Sequence, residues 1–305
     1  MILVFGSLNV DLIFRLPALP RPGQTVLAPT YARAHGGKGA NQAVAAARAG
    51  AGVRMVGRVG RDEMGDSLLE SLAAEGIDQS AIQSGGSPTG LAIIAVDAAG
   101  ENQILVASGA NLEACAADVP ADWFGAGTVV LQLEVPYDAC FAVGRAARRA
   151  GSRVVLNAAP AGPVDPAAFD ILIVNEDEAT AVARAAGVPG RGTAAARVLA
   201  TAWRRIVVAT LGAKGAVAYD GERVITVGTL PVTPVDTTGA GDAFVGAFAA
   251  ALDGGATLED ALRHGVVAGA LACLMEGAQP SMPRADAIAA RLADCPAPRV
   301  RHTPR

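Results

Sequence analysis

The sequence predicts an α/β protein: a doubly wound, mostly parallel sheet flanked by helices, with a small β-sheet lid. Three observations carry this prediction. From residue 128 onward, short apolar runs alternate with helical stretches, the pattern of parallel βαβ units. Two earlier regions, 10–34 and 88–107, are extended, break the alternation and hold too few large apolar residues for a core of their own. The chain has 305 residues, 51% hydrophobic and 18% charged, which suits one large core.

In order along the chain, Ile2–Phe5 is a short apolar run ending at glycine, as a buried strand would be. Asp11–Leu16 and Thr25–Arg33 are extended and separated by the turn-rich segment Pro17–Gly23. A helical pattern runs from Lys38 through Ala49, and Val53–Gly57 is a strand. Asp62–Glu75 places Met64, Leu68, Leu69 and Leu72 on one helical face, with Gly76 as its stop. Thr89–Val96 and Asn102–Ala107 form a hairpin across Asp97-Ala98-Ala99-Gly100. Strands at Thr128–Leu131, Val154–Asn157, Ile171–Asn175 and Ile206–Thr210 interleave with helices at Pro136–Ala150, Glu176–Ala186 and Thr193–Trp203. Val217–Tyr219 and Arg223–Val227 make a further strand pair, and alanine-rich helices follow at Ala240–Leu252, Thr257–Met275 and Pro283–Ala293. The predicted body is 1–9, 35–87 and 108–305, with 10–34 and 88–107 as the inserted lid.

Composition excludes several function classes. The formal net charge is −4 and the sequence pI about 5.4, against the basic surface of a general nucleic-acid binder. The most apolar stretches stop short of a membrane span, Ala243–Leu252 at Asp253 and Val266–Met275 at Glu276. The three histidines, His35, His264 and His302, argue against a histidine metal cluster or a Ser-His-Asp triad. The four cysteines (115, 140, 273 and 295) form no CxxC pair. Reduced thiols and an N-terminus that reads as a strand, not a signal peptide, point to the cytoplasm. The basic tail Pro296–Arg305 is expected to be a solvated end.

Three segments carry chemistry. In Val235-Asp236-Thr237-Thr238-Gly239-Ala240-Gly241-Asp242, glycines immediately precede a helix. The N–H groups of Gly239, Ala240 and Gly241 can form an anion hole at that helix N-terminus. Asp242 is either a general base for an attacking hydroxyl or an ordinary helix cap, and the segment alone does not choose. No GxxxxGK[ST] occurs, and Phe244 stands where a nicotinamide fingerprint needs its third glycine. In His35-Gly36-Gly37-Lys38-Gly39-Ala40-Asn41-Gln42, three glycines permit close approach to a small ligand and Asn41 suits sugar hydroxyls; a plain glycine-rich loop is the alternative. Asn9 and Asp11 follow the first strand, at the carboxyl edge where open α/β sheets bind ligands, though turn formers also sit there.

Taken together, these segments resemble the ribokinase-like (phosphofructokinase-B) family of sugar and nucleoside kinases. The likeness spans nearly the whole chain: GSLNVD (6–11), GGKGANQAVAA (36–46), TGLA (89–92), GAN (109–111), LQLEVP (131–136), LNAAPA (156–161), NEDEA (175–179), TLGAKGA (210–216), DTTGAGDAF (236–244) and GAQPSMP (277–283). The resemblance implies ATP-dependent phosphorylation of D-ribose at its 5-hydroxyl, giving ribose 5-phosphate and ADP, with Asp242 as base. It assigns Asn9, Asp11, Gly37, Lys38, Asn41 and Glu134 to the sugar, where Asp11 and Glu134 would accept from hydroxyls. It assigns Asn175, Glu178, Thr210, Gly212, Gly215 and Gly241 to the nucleotide. Asn175 and Glu178, three apart, could face the Mg²⁺–water shell, although the same spacing also reads as a helix cap. A monovalent cation, K⁺, would sit at Asp236, Thr238, Ala272, Met275, Gly277 and Ser281, mostly through backbone carbonyls. A homodimer through the lid is also implied.

Two positions depart from the family pattern. His35 stands where an aromatic or apolar residue is common, and a packing role is expected for it. The adenine-side helix, His264 to Ala270, offers no transferable polar contact, so an apolar grip with weak base selectivity is expected. Rival readings are a kinase of the same family for deoxyribose, fructose or adenosine, a sugar-sensing binding protein without catalysis, and a nicotinamide dehydrogenase. The polar set Asn9, Asp11, Asn41 and Glu134 favours a small polyhydroxy ring over a nucleoside.

Overall fold

The computed structural model describes residues 1–125 and 127–302. Its main sheet has ten strands. Seven are parallel, in the order β5 (Asp78–Ser84), β4 (Val53–Val59), β1 (Ile2–Phe5), β8 (Thr128–Gln132), β9 (Arg153–Asn157), β10 (Ile171–Asn175) and β11 (Ile206–Thr210). Three antiparallel strands extend it: β12 (Ala216–Tyr219), β13 (Arg223–Val227) and β14 (Arg299–His302). Both faces are covered, so the central strands read as unbroken apolar runs. Along β1, Ile2 and Val4 face one core while Leu3 and Phe5 face the other. The first core packs under α1 (Lys38–Arg48), α2 (Glu63–Ala74), α6 (Ala240–Asp253), α7 (Leu258–Ala272) and α8 (Ala285–Arg291). The second packs under α3 (Tyr137–Arg149), α4 (Glu176–Ala185) and α5 (Gly192–Trp203).

A second sheet has the order β3 (Tyr31–Gly36), β2 (Asn9–Arg15), β6 (Gly90–Val96) and β7 (Asn102–Ala107). Only Gly6-Ser7-Leu8 separates β1 from β2, so one short segment joins the two sheets. Strand β7 is exposed along its length: Ile93 and Leu105 are paired on one face of the small sheet, and Ile104 and Val106 stand on the other.

Small residues bring α1 and α6 together. A Cβ on Gly246 would stand 2.4 Å from Ala45 Cβ and 2.7 Å from Ala46 N, so only glycine permits this approach. The contact fixes the N-terminal turns of both helices side by side. Among the described residues, no helix is long and apolar enough to cross a membrane.

Three segments differ from expectation. Strand β5 was not anticipated, because its edge sequence buries only Ala81 and lacks an apolar run. In the region expected to be extended from Thr25, the strand begins only at Tyr31 and continues to Gly36. The tail is not wholly a solvated end: Arg299–His302 expose their side chains but pair their backbone with β13. Residues 303–305 of that tail lie outside the described residues.

Candidate active site

The crossing between the two sheets is built from glycine. Gly37 has φ 87°, and a Cβ there would lie 2.7 Å from Asn9 N. A Cβ on Gly39 would lie 2.5 Å from Ser7 N. The start of α1 therefore rests directly on the backbone of residues 6–9. Ser7 Oγ donates to Glu134 Oε2 at 2.6 Å and accepts from Gly39 N at 3.2 Å. The same Glu134 oxygen accepts from Lys38 N at 3.0 Å. Glu134, just beyond β8, is thus turned inward and held.

Asn111 fastens the next residues, taking Leu8 N at 2.9 Å and giving its amide to Leu8 O and to Asn9 Oδ1, the latter at 2.8 Å. The Asp11 carboxylate lies over Gly36, where a Cβ would fall 2.2 Å from Oδ2. Burial pushes the Asp11 carboxyl up to about 7, with Glu134 and Asp242 adding repulsion. Lys38 is the opposing charge. Asp242 chiefly, with Glu134 and Glu178, holds its ammonium above the ordinary lysine range despite burial.

Asp242 is 7% exposed and lies in the first turn of α6. The cap of that helix is Gly239, at φ 74°, so Asp242 is not the N-cap. Its carboxylate instead reaches α1: Oδ2 accepts from Asn41 Nδ2 and Oδ1 from Gln42 Nε2, both at 2.9 Å. Asn41 Oδ1 accepts in turn from Gln279 Nε2 at 3.2 Å. Of the three predicted anion donors, Ala240 N already donates to Thr237 O at 3.2 Å. A Cβ on Gly241 would meet nothing within 4 Å, so this backbone faces open space.

Beside Gly241 opens a cavity of about 530 Å³. Thr210, Gly212, Gly215 and Gly241 line it, four of the predicted nucleotide residues. Its remaining wall is largely apolar, including Leu230, Pro231, Val232, Phe244, Val266 and Ala270, with Thr229, Thr237 and Cys273 among them and no charged side chain. Asn175 and Glu178 are not among its lining residues. They cap α4 reciprocally, Asn175 N to Glu178 Oε2 and Glu178 N to Asn175 Oδ1, each at 2.8 Å. Glu178 still senses the site: burial raises its carboxyl above the usual range, Lys38 opposes this and Asp242 adds to it.

The pfkB family carbohydrate kinase model matches residues 1–285. The ribokinase of Haemophilus influenzae is 37% identical over 289 residues, 92% of this chain and 94% of its own. A deoxyribokinase of Salmonella typhi is 33% identical over 92% of this chain and 95% of its own. Among solved structures, ribokinase from Thermotoga maritima superposes with a TM-score of 0.89 at 32% identity, covering 96% of this chain and 99% of that one. Arabidopsis thaliana ribokinase complexed with ribose and ATP gives 0.85 at 32% identity, covering 95% and 98%.

This chain belongs to the pfkB family of carbohydrate kinases.

The predicted cation residues of this carbohydrate kinase gather where the chain enters and leaves the α6–α7 pair. Asp236 Oδ1 accepts from Thr238 N at 2.9 Å and from Thr238 Oγ1 at 2.7 Å, and Oδ2 accepts from Gly277 N at 2.8 Å. Burial works against the Asp236 charge, but the Gly277 and Thr238 donors outweigh it and, with Arg15, hold the carboxyl below the usual range. Cys273 O accepts from Asp236 N at 3.3 Å, which brings the Ala272–Met275 turn alongside. Ser281 spends its hydroxyl on Ala278 O at 2.8 Å. His35 Nε2 hydrogen-bonds Ser67 Oγ at 2.8 Å on α2.

Sequence reasoning missed Ser7, Gln42, Asn111, Asn157 and Gln279, all buried. Each lies inside one of the segments quoted for the family resemblance, and all but Gln42, which follows Asn41, are polar residues between small or apolar neighbours. That contrast was the available signal.

Proposed function

We propose that this carbohydrate kinase transfers the γ-phosphoryl group of ATP to the 5-hydroxyl of D-ribose, giving ribose 5-phosphate and ADP. One observation carries the reading. The Asp242 carboxylate is buried between Asn41, on the side of Asn9, Asp11 and Glu134, and Gly241, at the wall of the 530 Å³ cavity.

Ribose would lie over Gly37, with hydroxyls donating to Asp11 and Glu134 and accepting from Lys38 and Asn41. Asp242 takes the proton as the 5-oxygen attacks the γ-phosphorus. The new O–P bond forms as the bond to the β,γ-bridging oxygen breaks, and ADP leaves. The N–H groups of Gly239 and Gly241 steady charge on the equatorial oxygens, with the helix dipole behind them. Ala240 contributes less directly, since its N–H is shared with Thr237 O. The small sheet acts as a lid that excludes water, which would otherwise accept the phosphoryl group.

Among the described residues, no three His, Cys, Asp or Glu side chains converge as a metal cage. In this reading Mg²⁺ would arrive on the phosphates of ATP, where it would offset their charge. Glu178, within electrostatic reach of Lys38 and Asp242, would be the carboxylate to meet its water shell. Asp236 and the backbone carbonyls around it are oxygen donors of the kind a hard monovalent cation, K⁺, prefers. The exposed apolar pair Ile93 and Leu105 on one face of the small sheet favours a homodimer through the lid.

ADP release with D-ribose, 2-deoxyribose, fructose and adenosine, each in potassium and in sodium, tests the reading beside Asp242→Asn. The expected result is best turnover with ribose, stimulation by potassium and a fall of about 10²–10⁴-fold in the variant. The similarity to a deoxyribokinase makes 2-deoxyribose the rival acceptor; preference for it would keep the mechanism and replace the substrate. An Asp242→Asn variant with wild-type turnover would sink the assignment of the base.

A further inference from the structure

Asp242 does not stand alone. Gln42, fully buried on α1, gives one amide nitrogen to two acceptors: Asp242 Oδ1 at 2.9 Å and Asn157 Oδ1 at 3.0 Å. Asn157, at the end of β9, gives its own amide to Ile173 O in β10 at 3.1 Å. A continuous chain of hydrogen bonds therefore runs from Asp242 on α6, through α1, into the centre of the main sheet.

The other oxygen faces the acceptor side. Asp242 Oδ2 accepts from Asn41, one of the residues read as contacting sugar. The two oxygens thus have separate partners: Asn41 for the outer one and, among the described residues, Gln42 for the inner one. The terminal torsion of an aspartate is broad and two-fold, so a carboxylate held by Asn41 alone, a residue that also turns to the sugar in this reading, swings more freely than one held at both oxygens. A base must lie within hydrogen-bond reach of the proton it removes, and small misplacements lower the rate steeply.

Stability alone does not account for these amides. Gln42 Oε1 is buried with no hydrogen-bond partner among the described residues, as are both polar atoms of Gln132. Gln132 is the register neighbour of Asn157 on β8. Unpaired buried polar atoms destabilise a fold. Around Gln42 the inner face of α1 is Ala40, Ala43, Val44 and Ala46 beside Asn41, so an apolar residue would fit by shape but would leave Asp242 Oδ1 and Asn157 Oδ1 buried without this donor.

We propose that Gln42 is a positioning residue for phosphoryl transfer: its side-chain amide, backed by Asn157, holds the Asp242 carboxylate in its reactive orientation. This rests on the reading of Asp242 as the base.

The test uses the full chain and compares kcat and KM for D-ribose and ATP in Gln42→Leu, Asn157→Ala, the double variant and Asp242→Asn, with thermal melting of each. Gln42→Leu is expected to lower kcat 10- to 100-fold and leave both KM values within twofold, while melting somewhat lower than the parent because Asp242 Oδ1 and Asn157 Oδ1 lose their donor. Asn157→Ala should lower kcat less, and the double variant should be no slower than Gln42→Leu, because Asn157 acts through Gln42. A purely structural role would lower the melting temperature while leaving kcat at the parent value well below the transition, or would raise KM. Wild-type kcat in Gln42→Leu, with Asp242→Asn inactive, overturns this inference and leaves the base in place. Wild-type kcat in Asp242→Asn overturns the base itself. If Gln42→Leu fails to fold, Gln42→Met, closer in shape, is measured against the same criteria.

Discussion

Asp11 makes the unliganded enzyme less stable than it need be, and Asp11→Asn exposes the amount. Its carboxyl is raised from 3.8 to about 7 by burial, by Glu134 and by Asp242. Between those values the folded state keeps a proton that the unfolded chain has released. Stability therefore falls as pH rises across that window and levels off above it. At about 1.4 kcal/mol per pH unit, the span is worth on the order of 4 kcal/mol. Asparagine has no proton to lose and no charge to bury. The stability of Asp11→Asn relative to the parent should thus grow by about 4 kcal/mol between pH 4 and pH 8. Urea unfolding without ligands at both pH values measures it, using the midpoints at a common m value. The same variant should lose affinity for ribose, since it surrenders an acceptor to the sugar hydroxyls. A stability difference that stays constant, or shrinks, from pH 4 to pH 8 would refute the reasoning.

Two further substitutions probe the frame around the site. Gly39→Ala puts a Cβ 2.5 Å from Ser7 N and 2.6 Å from Gly6 C, both backbone, so the crossing must shift. We expect a loss of about 3 kcal/mol in chemical denaturation and a raised KM for sugar, because Ser7 carries Glu134. Arg48 pairs with Glu75 through two nitrogens and also donates to Gln279 O at 2.6 Å and Met282 O at 3.1 Å. Arg48→Ala should cost about 3 kcal/mol and lower kcat by loosening Gln279. Arg48 holds the Glu75 carboxyl below its usual range, so the penalty should be full above about pH 4.5 and fade as pH falls through the depressed value.

The alternating body was legible because buried parallel strands are short and apolar, and β1 and β8 to β11 leave little choice. Strands β5 and β14 were not, because an edge strand is held by backbone pairing that its side chains do not announce. In the site, glycines and carboxylates were visible as types in unusual places, as with Gly37 and Asp242. The amide network was not. Gln42 and Asp242 are 200 residues apart in sequence, and nothing local to either marks the other. The cap at Asn175 and Glu178 was readable in both senses. It forms as a cap, and burial leaves Glu178 within electrostatic reach of Lys38 and Asp242.

The place of β1 in the main sheet also bears on how the protein is made. Strand β1 precedes the other described strands in the chain yet is an interior one, flanked by β4 and by β8, so half of its pairing waits until residue 128 and beyond has been synthesised. Residues 9–41, the sugar side of the proposed site, are made well before Asp242 and Gln279, which come from the last quarter of the sequence. Under that proposal a truncated nascent chain would carry the acceptor half of the pocket without its base, and phosphoryl transfer would wait until α1 and α6 meet.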